Sequence, residues 1–168
     1  MCITASCGCD ITRYIPYHTA KILELSAVTP ESDNQPEDGS DSEALVVYFS
    51  ATGNTESLAH IIAKTAGADI CEIVPSDPYT SEDLNYNSDC RAYAEQQDDS
   101  ARPEIEPLSV NIDDYDRIIL GYPIWWGTLP KVIYTFAETY DLSGKTILPF
   151  CTSGGSGIST SVSALQAL

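Results

Sequence analysis

The residues best suited to hold a ligand form one short segment, residues 50–55, with three hydroxyl groups, one amide and one glycine. The six residues are Ser50, Ala51, Thr52, Gly53, Asn54 and Thr55. The polar side chains donate hydrogen bonds, and the glycine lets the backbone approach a ligand without a Cβ in the way. The segment has no lysine and lacks the G-x-x-x-x-G-K-[ST] pattern, which disfavours a nucleoside triphosphate with magnesium. This composition predicts a phosphate monoester held by neutral donors, or a loop that only caps a helix.

The elements on either side of this segment favour the phosphate prediction. Residues 44–49 are apolar and β-branched, which predicts a strand. An amphipathic helix is predicted after the segment from side chains three and four residues apart, namely Leu58, Ile61, Ile62, Thr65 and Ala66. Gly67 is placed to end this helix. The helix N-terminus, with its unpaired N–H groups, would therefore point at the segment and favour an anion.

A second candidate segment contains two adjacent tryptophans. Its candidate contact residues are Pro123, Ile124, Trp125, Trp126 and Gly127. Two tryptophans on a loop are costly to expose because each has a large apolar surface. Either a flat aromatic ligand covers one of them or both pack into the core.

The two segments together resemble the flavodoxin family. S-x-T-G-x-T after a first strand is similar to the FMN-phosphate loop of that family, and Y-P-I-W-W-G is similar to its flavin-ring loop. The resemblance covers residues 44–168 and implies an α/β, flavodoxin-like, doubly wound parallel sheet in the order 2-1-3-4-(5). A fifth strand and last helix would lie beyond the final residue. We therefore expect a truncated domain, in preference to an edge supplied by residues 1–28.

The resemblance also implies how a cofactor would bind. FMN would bind without a covalent bond, its phosphate on residues 50–55 and its ring against the tryptophan loop. A third loop would contribute backbone donors from Thr152, Ser153, Gly154, Gly155 and Gly157. Gly127 is the best candidate for a peptide that changes orientation with flavin reduction. Many family members place an aromatic residue in the third loop, and this chain has none there unless Tyr79 or Tyr86 approaches from elsewhere.

The remaining elements alternate strands with helices, which predicts a parallel sheet. Strands are predicted at residues 69–74, 117–122 and 145–151, and helices after Pro130 and from residue 158. A capping-box pattern, Thr80 to Asp83, begins a long polar segment that resembles a family insertion. A helix-bearing crossover is favoured there. The alternative is that one residue of the insertion approaches the flavin edge, the candidates being Tyr79, Tyr86 and Arg91.

The function implied is electron transfer at low potential between redox partner proteins. No residues are grouped as a catalytic acid, base or nucleophile, and no NAD(P)H-binding fingerprint is present. One alternative is an FMN-dependent NAD(P)H:quinone or nitro-compound reductase. Another is a degenerate domain that no longer binds flavin.

The charge of the chain limits its partners. The formal net charge is −17, and residues 44–168 alone hold seventeen acidic and six basic residues, a net charge of −11. Nucleic-acid binding is excluded because it needs a basic face. Redox partners with basic surfaces are predicted, although the charge can also serve solubility alone. No apolar run approaches the ~18 residues of a membrane span, and a cytoplasmic protein is expected, with export and lipid anchoring as the alternative if a signal lies upstream.

The N-terminal quarter of the chain is assigned by composition alone. Residues 1–28 form an unassigned extension, residues 29–43 an acidic flexible linker, and residues 44–168 the flavodoxin-like domain. A zinc site with the ligands Cys2, Cys7, Cys9 and His18 is disfavoured, because their spacing matches no known zinc site. The other cysteines are interpreted as reduced thiols, namely Cys71, Cys90 and Cys151.

Overall fold

The computed structural model describes residues 44–86 and 89–168, so the predictions for residues 1–28 and 29–43, including the zinc alternative, lie outside the described residues. The strands in these ranges are β1 (Ala44–Tyr48), β2 (Asp69–Glu72), β3 (Arg117–Pro123) and β4 (Thr146–Thr152). The α-helices are α1 (Asn54–Ala66), α2 (Arg91–Gln97), α3 (Lys131–Thr139) and α4 (Ser159–Leu165). A short 3₁₀ turn, Ile112–Asp114, precedes β3.

The four strands form one parallel sheet in the order β2-β1-β3-β4, which confirms the predicted α/β fold and strand order. In register, Leu45 of β1 lies beside Ile118 of β3, and Gly121 of β3 lies beside Phe150 of β4. Parallel strands need crossover helices on the faces of the sheet, and both faces are covered. The carboxyl ends of β1, β3 and β4 therefore lie along one edge of the sheet, where the three predicted loops begin.

Each face of the sheet has its own apolar cluster. On one face, the inward side chains of β1 and β3 pack with α3, whose Val132, Ile133 and Phe136 are fully buried. On the other face, Val46 and Tyr48 pack with α1. Along β3, the consecutive residues Leu120, Gly121 and Tyr122 are all buried, as a central strand with both faces covered requires.

Helix α1 lies where it was predicted, but its fully buried residues are not the bulky ones whose spacing predicted it; of those, Ile62 packs partly buried against the sheet. The residues of α1 that are buried are Thr55, Ala59 and Ala63, whereas Ile61 is 62% exposed. Small side chains face the sheet because the sheet presents large ones there, Tyr48 and the partly buried Phe150. The predicted end of the helix is confirmed: Gly67 has φ 64° and donates its N–H to the Ala63 carbonyl.

The Thr80–Asp83 pattern makes capping-box hydrogen bonds without starting a helix. The Thr80 N–H donates to Asp83 Oδ2 at 2.8 Å, and the Asp83 N–H donates to Thr80 Oγ1 at 3.3 Å. A turn follows, in which the Asn85 N–H bonds to the Glu82 carbonyl. Helix α2 begins only at Arg91. The helix-bearing crossover is confirmed, with a later start than the pattern indicates.

Candidate functional site

Hydrogen bonds join the three predicted loops at the edge formed by the carboxyl ends of β1, β3 and β4. Thr55 Oγ1 and Thr152 Oγ1 are 2.8 Å apart, which connects the first loop to the third. The Ile124 N–H donates to the Thr152 carbonyl at 2.8 Å, which connects the second loop to the third. The structure thus brings together segments that the sequence separates widely, with 97 positions between Thr55 and Thr152.

The first loop leads into α1 through a left-handed glycine. Gly53 has φ 81° and occupies the N-cap position of α1, where no described side chain caps the helix. Asn54 Nδ2 donates to Thr52 Oγ1 at 3.0 Å, so these two exposed side chains support each other. The first-turn N–H groups of α1, which no helix satisfies internally, stay available to an anion.

One buried hydroxyl in this loop has no partner. Ser50 Oγ is buried and makes no hydrogen bond to any residue in the ranges 44–86 and 89–168. Leaving a buried hydroxyl unpaired costs about 1–3 kcal/mol. Such an atom beside a helix N-terminus is suited to a ligand that brings an acceptor oxygen, as a phosphate does.

The second loop contains a tight turn with an unusual backbone. The N–H and carbonyl groups of Trp125 and Thr128 bond to each other at 2.9 and 3.0 Å, enclosing Trp126 and Gly127. Both enclosed residues have positive φ, 45° and 86°, the pattern of a type I′ turn. Glycine adopts this conformation freely, but tryptophan does so at a cost of about 1–2 kcal/mol.

The two tryptophans have different surroundings. Trp125 is 6% exposed and packs edge-on against Phe49 and Tyr79, with ring centroids 5.4 and 5.0 Å apart. Trp126 is half-buried and borders an open cleft. The core alternative therefore applies to Trp125, and Trp126 is the one a flat ligand can contact.

The cleft has a volume of about 330 Å³ and lies between the second and third loops. Its lining residues are Tyr86, Ile124, Trp126, Gly127, Ser153, Gly154, Gly155 and Ser156. Six of these eight were predicted from the sequence, and Tyr86 and Ser156 were not among the predicted site residues. Pro123, Trp125, Thr152 and Gly157 are not part of the lining, and Thr152 instead supports the first loop.

The insertion before β3 contributes Tyr86 to the cleft. The Tyr86 ring stacks on Trp126 with centroids 4.4 Å apart and an interplanar angle of 28°, and its side chain is 58% exposed. Sequence reasoning named Tyr86 only as an alternative because exposed tyrosines carry no signal of their own. Burial raises its pKa above the usual range, so the phenol is neutral at neutral pH.

Tyr79 and Arg91 lie elsewhere. The Arg91 guanidinium lies 4.5 Å from the Tyr79 ring centroid and pairs with Asp77 and Glu95 at 2.7 and 2.8 Å. Burial, and then the hydrogen bond to Glu95, raise the pKa of Tyr79 well above its usual range. Of the three residues named as possible neighbours of a flavin, only Tyr86 lines the cleft.

Sequence reasoning missed Gln96 of α2. Its Nε2 lies 3.2 Å from the Trp125 carbonyl oxygen and 3.2 Å from the Leu129 carbonyl oxygen. A glutamine in a polar segment is usually exposed to solvent, so the sequence gives no sign of these contacts with residues about thirty positions away.

Among residues 44–86 and 89–168, no three histidine, cysteine or carboxylate side chains are grouped to hold a metal ion. None of the helices described above combines the length and the apolar composition that crossing a membrane requires.

Comparison with known proteins gives a family for residues 43–168, which match a sequence model described as flavodoxin. Among solved structures, a protein from Bacteroides eggerthii that is assigned as a flavoprotein is 45% identical, with a TM-score of 0.73, covering 75% of this chain and 80% of that one. Another so assigned, from Bacteroides uniformis, is 39% identical with a TM-score of 0.72, covering 75% and 81%.

A third solved structure contains the cofactor. It is a flavoprotein in complex with FMN from Lactobacillus acidophilus, 26% identical, with a TM-score of 0.64, covering 75% of this chain and 85% of that one. A search of curated proteins found no match.

Proposed function

Because the chain belongs to the flavodoxin family, we propose that it holds FMN without a covalent bond and carries electrons between partner proteins. FMN as the cofactor is supported by the family and by the FMN complex of the Lactobacillus relative. The observation that carries the proposal for this chain is the buried, unpaired Ser50 hydroxyl in the loop that leads into α1.

The described residues fit both ends of this cofactor. Ser50, the other polar side chains of the first loop and the first-turn N–H groups of α1 would hold the phosphate. The cleft beside Trp126 would hold the flat ring, with Tyr86 as a further aromatic neighbour. When bound, FMN supplies one- and two-electron redox chemistry.

The cleft favours electron transfer over substrate turnover. Among its described lining residues, only Tyr86 is titratable, and that phenol is neutral at neutral pH. A protein that positions no acid or base at the ring can pass electrons but does not assist proton transfer to a substrate. The chain's remaining contribution is to bind and orient the ring and to exclude water from the side of it that faces the protein.

The charge of the chain supports low potential and a basic partner. Residues 44–168 carry seventeen acidic and six basic residues. Negative surroundings raise the free energy of an anionic reduced flavin, which lowers the potential of its second electron. An acidic surface also steers a basic redox partner toward encounter.

The first test is the replacement Ser50→Ala, with titration of FMN and riboflavin in parallel. A hydrogen bond to a charged group is worth about 1.5–3 kcal/mol, so we expect FMN affinity to fall about tenfold or more and riboflavin affinity to stay the same. The free protein should be no less stable, because the substitution removes an unpaired buried group. Quenching of flavin and tryptophan fluorescence reports the binding.

Ser143→Ala provides a matched control. Ser143 is exposed and lies in the connection that enters β4, at the opposite end of the parallel sheet from the loops. Equal losses of FMN and riboflavin in Ser50→Ala would contradict the phosphate site. If the folded wild-type protein binds neither ligand, the domain is degenerate. Rapid flavin reduction by NADPH in stopped flow would favour the reductase over the carrier.

A further inference from the structure

The insertion before β3 contacts the tryptophan loop through one side-chain amide. Gln96, at the C-terminal end of α2, points its Nε2 at two main-chain carbonyl oxygens, those of Trp125 and Leu129, each 3.2 Å away. A side-chain NH₂ group carries two N–H donors, and both have an acceptor in this arrangement. The Gln96 amide must present its nitrogen to these two carbonyl oxygens, because the flipped amide would place Oε1 against both of them with no hydrogen to share.

The two carbonyl groups lie on either side of the strained turn. Trp125 precedes and Leu129 follows the enclosed residues, Trp126 with φ 45° and Gly127 with φ 86°. Leu129 is fully buried and Trp125 nearly so, so the residues that flank the turn are held in place by core packing. The two hydrogen bonds from Gln96 connect both flanking residues to α2.

We propose that Gln96 is a positioning residue that holds the Trp126–Gly127 turn in a conformation preset for the flavin ring. The proposal rests on the proposed FMN binding. Gln96 does not line the cleft, so its proposed effect on the ring is indirect. It acts on the backbone that borders the ring, and it limits how far those peptides can reorient.

A preset turn affects the redox states of the flavin differently. Trp126 and Gly127 border the cleft, so the backbone groups of the turn would be available to the edge of a bound ring, whose polarity changes with reduction. Without the Gln96 hydrogen bonds, the turn would no longer be held in the conformation that fits oxidised FMN, so the affinity for oxidised FMN would fall. The affinity for reduced FMN would fall less, because the freed turn can reorient to suit the reduced ring. Because the midpoint potential follows the ratio of the two affinities, the potential of bound FMN should rise.

The test compares Gln96→Met and Gln96→Glu with Gln97→Met and Gln97→Glu. Methionine keeps the length of the side chain and removes the donors, and glutamate replaces donors with a carboxylate facing two carbonyl oxygens. Gln97 is the adjacent, exposed residue of the same helix, so its variants match the change in composition and charge.

Hydrogen exchange in the FMN-free protein is measured first, at the Trp125 and Thr128 amides that close the turn. We expect both amides to exchange about tenfold faster in Gln96→Met than in Gln97→Met, as the loss of one to two hydrogen bonds predicts. With FMN, we expect affinity for the oxidised form to fall about tenfold and the first midpoint potential to rise. In Gln97→Glu the added charge acts alone and should not raise the potential.

Identical exchange and affinity in the Gln96 and Gln97 variants would overturn the proposal. Weaker binding with an unchanged potential would also overturn it, because a merely structural role predicts that result. If Gln96→Met does not fold, Gln96→Asn, which keeps the amide on a shorter side chain, provides the same comparison. A wild-type protein that binds no FMN would refute the proposed function, and the exchange measurement would still decide whether Gln96 holds the turn.

Discussion

At the scale of single residues, Trp126 contacts one tyrosine that lines the cleft and another that packs in the core. Trp126 has two tyrosine neighbours, Tyr86 at 4.4 Å and Tyr93 at 5.6 Å between ring centroids. Tyr86 lines the cleft, whereas Tyr93 belongs to helix α2 and packs against the core cluster. The two tyrosines contact the same indole in different environments, so substitutions of Tyr86 and Tyr93 can be compared directly.

We expect Tyr86→Leu to weaken FMN binding about two- to tenfold with little change in stability, since an aromatic pair is worth about 0.5–1.5 kcal/mol. Tyr93→Leu should lower the free energy of unfolding and leave FMN affinity nearly unchanged. Fluorescence titration and urea unfolding of both variants give the comparison. Equal affinity in Tyr86→Leu and wild type would show that Tyr86 does not contact the ring.

At the scale of elements, β3 and β4 are joined by a close aromatic contact. A Cβ built on Gly121 would overlap the ring of Phe150, its partner in the register. The glycine is needed there because the ring covers the backbone, as aromatic side chains do over glycines in sheets. This contact lies two residues before Pro123, where the strand ends and the tryptophan loop begins.

Gly121→Ala should therefore destabilise the domain by about 1–3 kcal/mol through overpacking. Gly154→Ala is the control, because a Cβ there meets open space. Adding Phe150→Leu to Gly121→Ala should recover part of the loss. Urea unfolding measures all four proteins, and an unchanged midpoint in Gly121→Ala would contradict the packing described.

Tyr48, between the sheet and α1, links stability to alkaline pH. Burial, and then the carboxylates of Glu72 and Glu56, raise the pKa of Tyr48 to about 12. Its pKa is about 10 when the chain unfolds, so the stabilisation is complete below pH 10 and is lost as the pH rises from 10 through 12. Unfolding free energies across this interval should fall more steeply in wild type than in Tyr48→Phe. Parallel slopes would contradict the shift.

The same elements show what sequence reasoning can and cannot predict. The first two loops were predictable because each depends on a local pattern, such as the polar segment after the strand at residues 44–49, and the strand order followed from the family resemblance that these two loops carry. The buried face of α1 was not, because the large side chains it packs on come from two strands, one of them as distant as Phe150. Gln96 was not predictable either, since its role depends on carbonyl groups that any sequence carries.

At the scale of the whole molecule, few of the acidic side chains are neutralised by a basic side chain. Of the six basic residues after position 43, Arg91, Arg102 and Lys131 are paired with carboxylates, and Lys145 donates to the Tyr115 carbonyl at 2.8 Å. Seventeen acidic residues lie in the same stretch. The compact state thus holds an excess of negative charge that repels itself.

Added salt should therefore stabilise the protein. Screening shortens the range of repulsion to about 10 Å at 0.1 M ionic strength, so the urea midpoint should rise with sodium chloride. Sucrose at matched osmolality serves as an uncharged control. A midpoint that falls with salt would mean that the ion pairs of Arg91 and Arg102 outweigh the general repulsion.

The hydroxyl contact between Thr55 and Thr152 also bears on the order in which the chain assembles. These side chains meet across a sequence separation of 97 residues, and contacts at such separations form only after the intervening chain has closed. A newly made polypeptide can build the strand and helix around the first loop long before β4 is present. We therefore expect uptake of the yellow cofactor to be among the last events of folding, so that its colour reports completed molecules rather than partly folded ones.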